Sequence, residues 1–152
     1  MTLCLDANVL IEVLRRRQPV LARWQEAVGQ GAPLVVSSLV LHELEAGADL
    51  GARPTIHRAR LHEVQAFAEM VEFDADDARI AGGVRARLQR SGRPIGPVDT
   101  LIAGHALARG WTVVTRNVRH FGRVEGLPLI DWTTGPEPLS DKAIAARLAE
   151  AE

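Results

Sequence analysis

Residues 3–12 read LCLDANVLIE. The apolar run Leu3, Cys4, Leu5 has the length and composition of a short buried strand, and the residues after Asp6 have the apolar content of a helix. A carboxylate therefore stands where a strand emerges at its C-terminal edge, and in open α/β sheets that edge is where ligands bind. The same alternation continues along the chain. Further short apolar runs at 34–36, 70–73, 112–114 and 127–130 are separated by longer segments of helical period. This order predicts one α/β domain with a mainly parallel sheet of about five short strands.

The intervening segments carry helix signals. Leu61, Val64 and Ala68 mark one amphipathic helix, and Ile80, Ala81, Val84 and Leu88 mark another. Asp74 is placed to cap the second, with Asp77 three positions on, and Asp76 and Asp77 are read as helix-start residues. The stretch 92–96 breaks the chain, and a helix is expected from Pro97 to Arg109, stopped by Gly110. Residues 1–132 form the expected domain. TTGPEP at 133–138 is a linker, and a polar-faced helix over 139–151, starting near Leu139 or Ser140, completes the chain. That helix is left to pack on the domain, on a second copy, or on nothing.

Composition narrows the function. A chain of 152 residues with 47% hydrophobic residues suffices for one core but not two. No apolar run approaches the roughly 20 residues that cross a bilayer. The opening MTLCLDANVLIEVLRRR places an acid inside its apolar stretch and its Arg cluster after it, the reverse of a secretion signal, so a cytoplasmic protein is expected. Cys4, the single cysteine, reads as a small buried hydrophobe. A net charge of -1 argues against bulk electrostatic binding of nucleic acid, so any RNA contact must be local. Arg116, Arg119 and Arg123 are clustered in one short segment.

Four positions could carry chemistry. Asp6 is either a helix cap or a ligand at a strand end, and Asn8 could orient it or cap the helix itself. Glu43, in SSLVLHELEAG, lies on the flank of a face made by Val40, Leu41, Leu44 and Gly47, where the glycine leaves open space; otherwise it is a solvated surface acid. Asp99 heads the apolar stripe Asp99, Ile102, Ala103, Ala106. The helix dipole tolerates an acid in that first turn, but a carboxylate on the inward stripe needs a metal or a partner. The run WTVVTRNVRHF ends a β-branched strand in Thr115, Arg116 and Asn117. There Thr115 and Asn117 could hold water, and Arg116, Arg119 and His120 could meet phosphate oxygens.

Three acids converging on one sheet edge repel each other unless a cation joins them. Oxygen-only donors suit magnesium or manganese. The five histidines show no zinc-binding spacing, and no glycine-rich phosphate loop or nucleophile elbow is present. The chemistry left is metal-assisted phosphodiester hydrolysis.

The motifs LDANVLIE, SSLVLHELEAG, IGPVDTLIAGHALARG, VVTRNVRHF and LPLIDW, taken in this order over residues 3 to 132, resemble those of PIN-domain ribonucleases, and within them the VapC toxins of type II toxin–antitoxin systems. The resemblance implies an α/β/α sandwich and a magnesium site at Asp6, Glu43 and Asp99. It also implies cleavage of structured RNA, a homodimer, and a VapB-like antitoxin partner. Many relatives carry Asp at the position of Asn117, where this chain is neutral, so a second metal is not expected to be fully bound. Two rivals remain. An aspartyl phosphatase using Asp6 would want a second carboxylate at Asn8; a non-catalytic PIN-like module would bind RNA or protein without cutting.

Overall fold

The structure, a computed structural model, describes residues 1–150. Five parallel strands, β1 (Leu3–Leu5), β2 (Leu34–Ser37), β3 (Glu69–Val71), β4 (Thr112–Val114) and β5 (Leu129–Ile130), form one sheet in the order β3-β2-β1-β4-β5. Among the described residues, eight helices accompany them in a three-layered α/β/α arrangement: α1 (Ala7–Leu14), α2 (Val20–Gly29), α3 (Ser38–Leu50), α4 (Pro54–Gln65), α5 (Ala75–Arg90), α6 (Pro97–Arg109), α7 (Val118–Phe121) and α8 (Asp141–Ala149). The chain builds outward from β1 to β3, then returns to set β4 against the other side of β1. The strand order thus reverses between β1 and β4, and at such a switch point the carboxyl edge of the sheet opens into a crevice.

Central strands covered on both faces must be apolar throughout. Leu3, Cys4, Leu5, Val113 and Val114 are buried accordingly. Edge strand β3, by contrast, is partly exposed. No helix among the described residues is long and apolar enough to cross a membrane.

Helix boundaries follow their caps. Asp74 accepts from the backbone N–H groups of Asp76 and Asp77, and the Asp77 carboxylate accepts in return from Asp74 N, the reciprocal box expected at a helix start. Gly110 ends α6 in the left-handed conformation at φ 68°, which glycine adopts without steric penalty. Ser140 caps α8 through Ala143 N. The expected 139–151 helix is therefore shorter at its start, and residue 151 lies outside the described residues.

Other expectations are corrected. Strand 70–73 is Glu69–Val71, because Phe73 N donates to Ser38 Oγ and Asp74 is already a helix cap. Strand 127–130 shortens to Leu129–Ile130, since Pro128 has no N–H for a ladder. Ile80 is exposed, and the inward stripe of α5 is instead Asp77, Ala81, Val84, Leu88. Gly47 is likewise exposed, and the buried stripe of α3 is Val40, Leu44, Ala48. Helices α2 and α7 were not anticipated from periodicity.

Helices α5 and α6 cross closely. A Cβ at Gly104 would lie 2.4 Å from Ala81 Cα and 2.7 Å from Ala81 N, so backbone would have to move. Gly104→Ala should destabilise the fold by about 1–3 kcal/mol, the usual range for overpacking, lowering the melting temperature by roughly 2–4 °C per kcal/mol. An unchanged thermal melt would show that the crossing is looser than described.

Candidate active site at the carboxyl edge of the sheet

Asp6 leaves β1 at the switch point and is only 4% exposed. Its backbone N–H donates to Val114 O of β4, and its Oδ1 accepts from Ala7 N at 2.9 Å. Its Oδ2 accepts from the Thr115 hydroxyl at 2.7 Å, across the pair of central strands. Burial pushes the Asp6 carboxyl up to about 6; the hydrogen bonds from Thr115 and Ala7 oppose that, and the charge of Asp99 adds to it.

Glu43 reaches the same region from α3 and is half-buried. Its carboxyl is pushed up to about 7, first by burial and then by the charges of Asp6 and Asp99. Those two causes place all three acids in one electrostatic field. A Cβ at exposed Gly47 would meet nothing within 4 Å.

Asp99 enters from the first turn of α6, with Ile102, Ala103 and Ala106 fully buried behind it. Its Oδ2 accepts from Asn117 Nδ2 at 3.0 Å and from His120 Nδ1 at 2.7 Å. A carboxylate oxygen only accepts, so the His120 proton sits on Nδ1, and the 2.9 Å contact between Asn117 and His120 joins two donors sharing one acceptor.

Loop 115–117 closes the site. Thr115 is fully buried, which corrects the expectation that it touches substrate or water: its hydroxyl is occupied by Asp6 and by Asn117 N at 2.9 Å. Asn8 makes no bond to Asp6. Instead its Oδ1 accepts from Arg116 N at 3.1 Å, while its Nδ2 donates weakly to Thr115 Oγ1 at 3.5 Å, so it orients the loop rather than the acid. Arg116 is exposed, 3.6 Å from Glu12. Arg119 is exposed and has no ion pair among the described residues. Glu12 is a residue that sequence reading missed; its spacing of four from Asn8 on α1 was the available signal. Asp76 is surface-exposed, and Asp77 is buried in an ion pair with Arg109, so neither joins the site.

The donor set is all oxygen, the set that suits a hard cation. Among the described residues, no three acidic, histidine or cysteine side chains stand close enough together to enclose an ion by themselves. A cation held here would have to draw part of its shell from water, as magnesium commonly does. Cys4, directly below Asp6, is buried with its thiol pushed up to about 12 by burial and then by the Asp6 charge, so it is inert.

Comparison with known proteins is consistent with this geometry. A "tRNA(fMet)-specific endonuclease VapC" of Shigella flexneri is 38% identical over 129 residues, covering 85% of this chain and 96% of that protein. A "Ribonuclease VapC2" of Rickettsia felis is 29% identical over 128 residues, covering 84% and 96%. Among solved structures, VapBC2 of Rickettsia felis bound to a promoter DNA fragment matches with a TM-score of 0.80 at 27% identity, covering 87% of this chain and 99% of that one. DNA-bound VapBC of Salmonella typhimurium matches with a TM-score of 0.78 at 33% identity, covering 87% and 98%. The PIN domain family model matches residues 3–127, and with the site built from the same ordered motifs the chain belongs to the PIN-domain family, as a VapC-like member of it.

Proposed function

We propose that the protein is a magnesium- or manganese-dependent endoribonuclease and the toxin of a toxin–antitoxin pair. What supports this reading is that Asp6 at the end of β1 and Asp99 in the first turn of α6 are tied to the same loop after β4 through Thr115 and Asn117, with Glu43 of α3 near enough for both charges to raise its carboxyl. The names of the VapC relatives support RNA as substrate, and the VapBC neighbours support a VapB-like antitoxin as partner. A cytoplasmic homodimer is part of the same proposal.

Asp6 and Asp99 are the residues that would hold the cation, with Glu43 and Asn117 contributing directly or through water. Bound there, a divalent cation supplies Lewis acidity toward the scissile phosphate and makes water a better nucleophile at neutral pH. Glu43, pushed up to about 7, is matched to take a proton from the attacking water at a carboxylate oxygen. Asp99 is held in orientation by His120 and Asn117, and Asp6 by Thr115. Attack by water leaves a 5′-phosphate and a 3′-hydroxyl, whereas a reaction through the RNA 2′-hydroxyl would leave a cyclic phosphate.

Asp99→Asn and Asp6→Asn should each lower the rate of RNA hydrolysis in magnesium by at least ~100-fold, the scale seen when one preorganised electrostatic group is lost. The folded state should be retained. Wild-type rates in either variant, or cyclic phosphate ends in the wild-type products, would overturn the mechanism.

Asn117→Asp replaces a donor 3.0 Å from Asp99 Oδ2 with a second carboxylate. It should lower the melting temperature of the metal-free protein at pH 7, tighten magnesium binding, and narrow the melting gap as magnesium is added. Calorimetric titration and paired melts read both; if neither moves, Asn117 does not face the cation site.

Stability should also depend on pH through the site. Asp6 and Glu43 have folded pKa values above their ordinary values of 3.8 and 4.5, so the fold favours their protonated forms. Their contribution is present at about pH 4 and is lost as pH rises through about 6 to 7. His105, whose pKa burial pushes down, acts oppositely: its neutral form favours the fold above its ordinary value of 6.5, and that contribution is lost on acidification. The Asp6→Asn/Glu43→Gln double variant should therefore gain on the metal-free wild type in melting temperature as pH goes from 4 to 7. A constant difference between the two proteins across that range would refute the shared field.

A further inference from the structure

The matched family segment ends at residue 127, and the relatives cover 84–85% of this chain while using 96% of their own length. Helix α8 therefore lies beyond the matched family segment. It is nonetheless built into the fold. Arg147 Nη1 donates to Asp131 Oδ2 at 3.1 Å, and Asp131 is 2% exposed, with Oδ1 taken by Thr133. A Cβ at Gly122 would lie 2.8 Å from Ile144 Cγ2, so α7 and α8 touch closely. Leu139 N donates to Leu129 O at 2.8 Å, tying the linker to β5.

This docking puts the end of α8 beside the catalytic loop. Arg147 and Glu150 share the walls of an open polar cavity of about 390 Å³ with Arg116, Asn117 and Arg119. Asn117, which donates to Asp99, thus lies between the cavity and the acidic site, none of whose three acids lines the cavity. Three arginines and one glutamate are among the residues that line the cavity. One nitrogen of Arg147 is held by Asp131, Arg116 is 3.6 Å from Glu12, and Arg119 has no ion pair among the described residues. Guanidinium groups bind phosphate oxygens through planar, paired N–H donors, and clustered arginines beside an acidic cleft are suited to a backbone rather than to a base.

We propose that α8 completes a phosphate-binding subsite, formed by Arg116, Arg119 and Arg147, that takes an RNA backbone phosphate next to the one cleaved. This rests on the ribonuclease reading above. Net charge does not attract RNA to this chain, so a local cationic subsite supplies what bulk electrostatics does not. Glu150 sets its strength from the same wall by partly offsetting the arginines.

The test measures cleavage of tRNA(fMet) by the full-length protein in magnesium, and binding of labelled tRNA(fMet) to the Asp99→Asn protein over a range of salt. Arg119→Ala, at an exposed position, should raise KM by roughly threefold to tenfold with little change in kcat, and flatten the slope of log affinity against log salt by about 0.7 to 1. Glu150→Lys should lower KM, and Glu69→Lys, the same charge change on the opposite edge strand, should not. Replacing the anchor pair together, Arg147→Gln with Asp131→Asn, should raise KM as Arg119→Ala does while its far-ultraviolet spectrum stays that of the wild type. If the wild type cleaves but these variants keep its KM and salt slope, or if Glu69→Lys matches Glu150→Lys, the subsite is overturned. If the wild type cleaves neither tRNA(fMet) nor any species in total bacterial RNA in magnesium, it is the ribonuclease reading that falls, and with it the subsite.

Discussion

The Thr115 hydroxyl, 2.7 Å from Asp6 Oδ2, joins two strands that are adjacent in the sheet but more than a hundred residues apart in the chain. Asp6 stands where β1 and β4 part, the one place where the strand order forces a crevice, and it is almost fully buried. Removing a carboxylate from water costs several kcal/mol. A hydrogen bond to a charged group returns about 1.5–3 kcal/mol. Thr115 and the helix-start N–H of Ala7 therefore hold the acid in place without fully compensating its burial, which is why its pKa stays raised. The same hydroxyl accepts from Asn117 N, so one buried threonine sets both the acid of β1 and the loop that follows β4.

A second buried acid shows what full compensation looks like. Asp77 is as hidden as Asp6, yet its carboxyl is held far below the usual range, because Arg109 grips both of its oxygens at 2.9 Å. His105 Nε2 lies 3.4 Å from the same carboxylate, while its Nδ1 meets Ser37 Oγ at 2.9 Å at the end of β2. These contacts lock the later turns of α6 against α5 and the sheet. With its rotation fixed there, α6 must turn Asp99 toward the crevice. The Asp77 carboxylate has its charge matched by Arg109; the Asp6 carboxylate has no cationic side chain bonded to it among the described residues. Two buried acids driven in opposite directions mark that difference.

Much of this was readable along the chain. Parallel strands covered on both faces must appear as short apolar runs, so their number and approximate places could be read directly. Asp99 betrayed itself by heading a stripe whose other members are fully buried. What periodicity could not supply were partners across space. Thr115 reads along the chain only as a candidate holder of water because its acid lies 109 positions away, and nothing local points His120 at Asp99. Hydrophobicity alone puts Ile80 on the buried stripe, yet Asp77 holds that place by virtue of Arg109, 32 positions on. Asp131 and Arg147 were invisible for the same reason.

Asn117 has a consequence for how the acidic pocket stays together without a cation. Three carboxylates in one field repel, and a fourth at this position would add to that. The amide instead donates to Asp99 Oδ2, and His120 donates to the same oxygen. Both donors place partial positive charge where a cation's charge would otherwise act, so the metal-free pocket remains ordered while its Oδ1 takes part in neither bond. A cation that met only Oδ1 would, on the proposed reading, leave these contacts unbroken, whereas one that needed both oxygens would have to displace an amide and an imidazole. On the proposed reading, the neutral residue thus favours one cation with a water-rich shell over two tightly caged ones, since the donors that order the empty pocket compete for the oxygen a second ion would need.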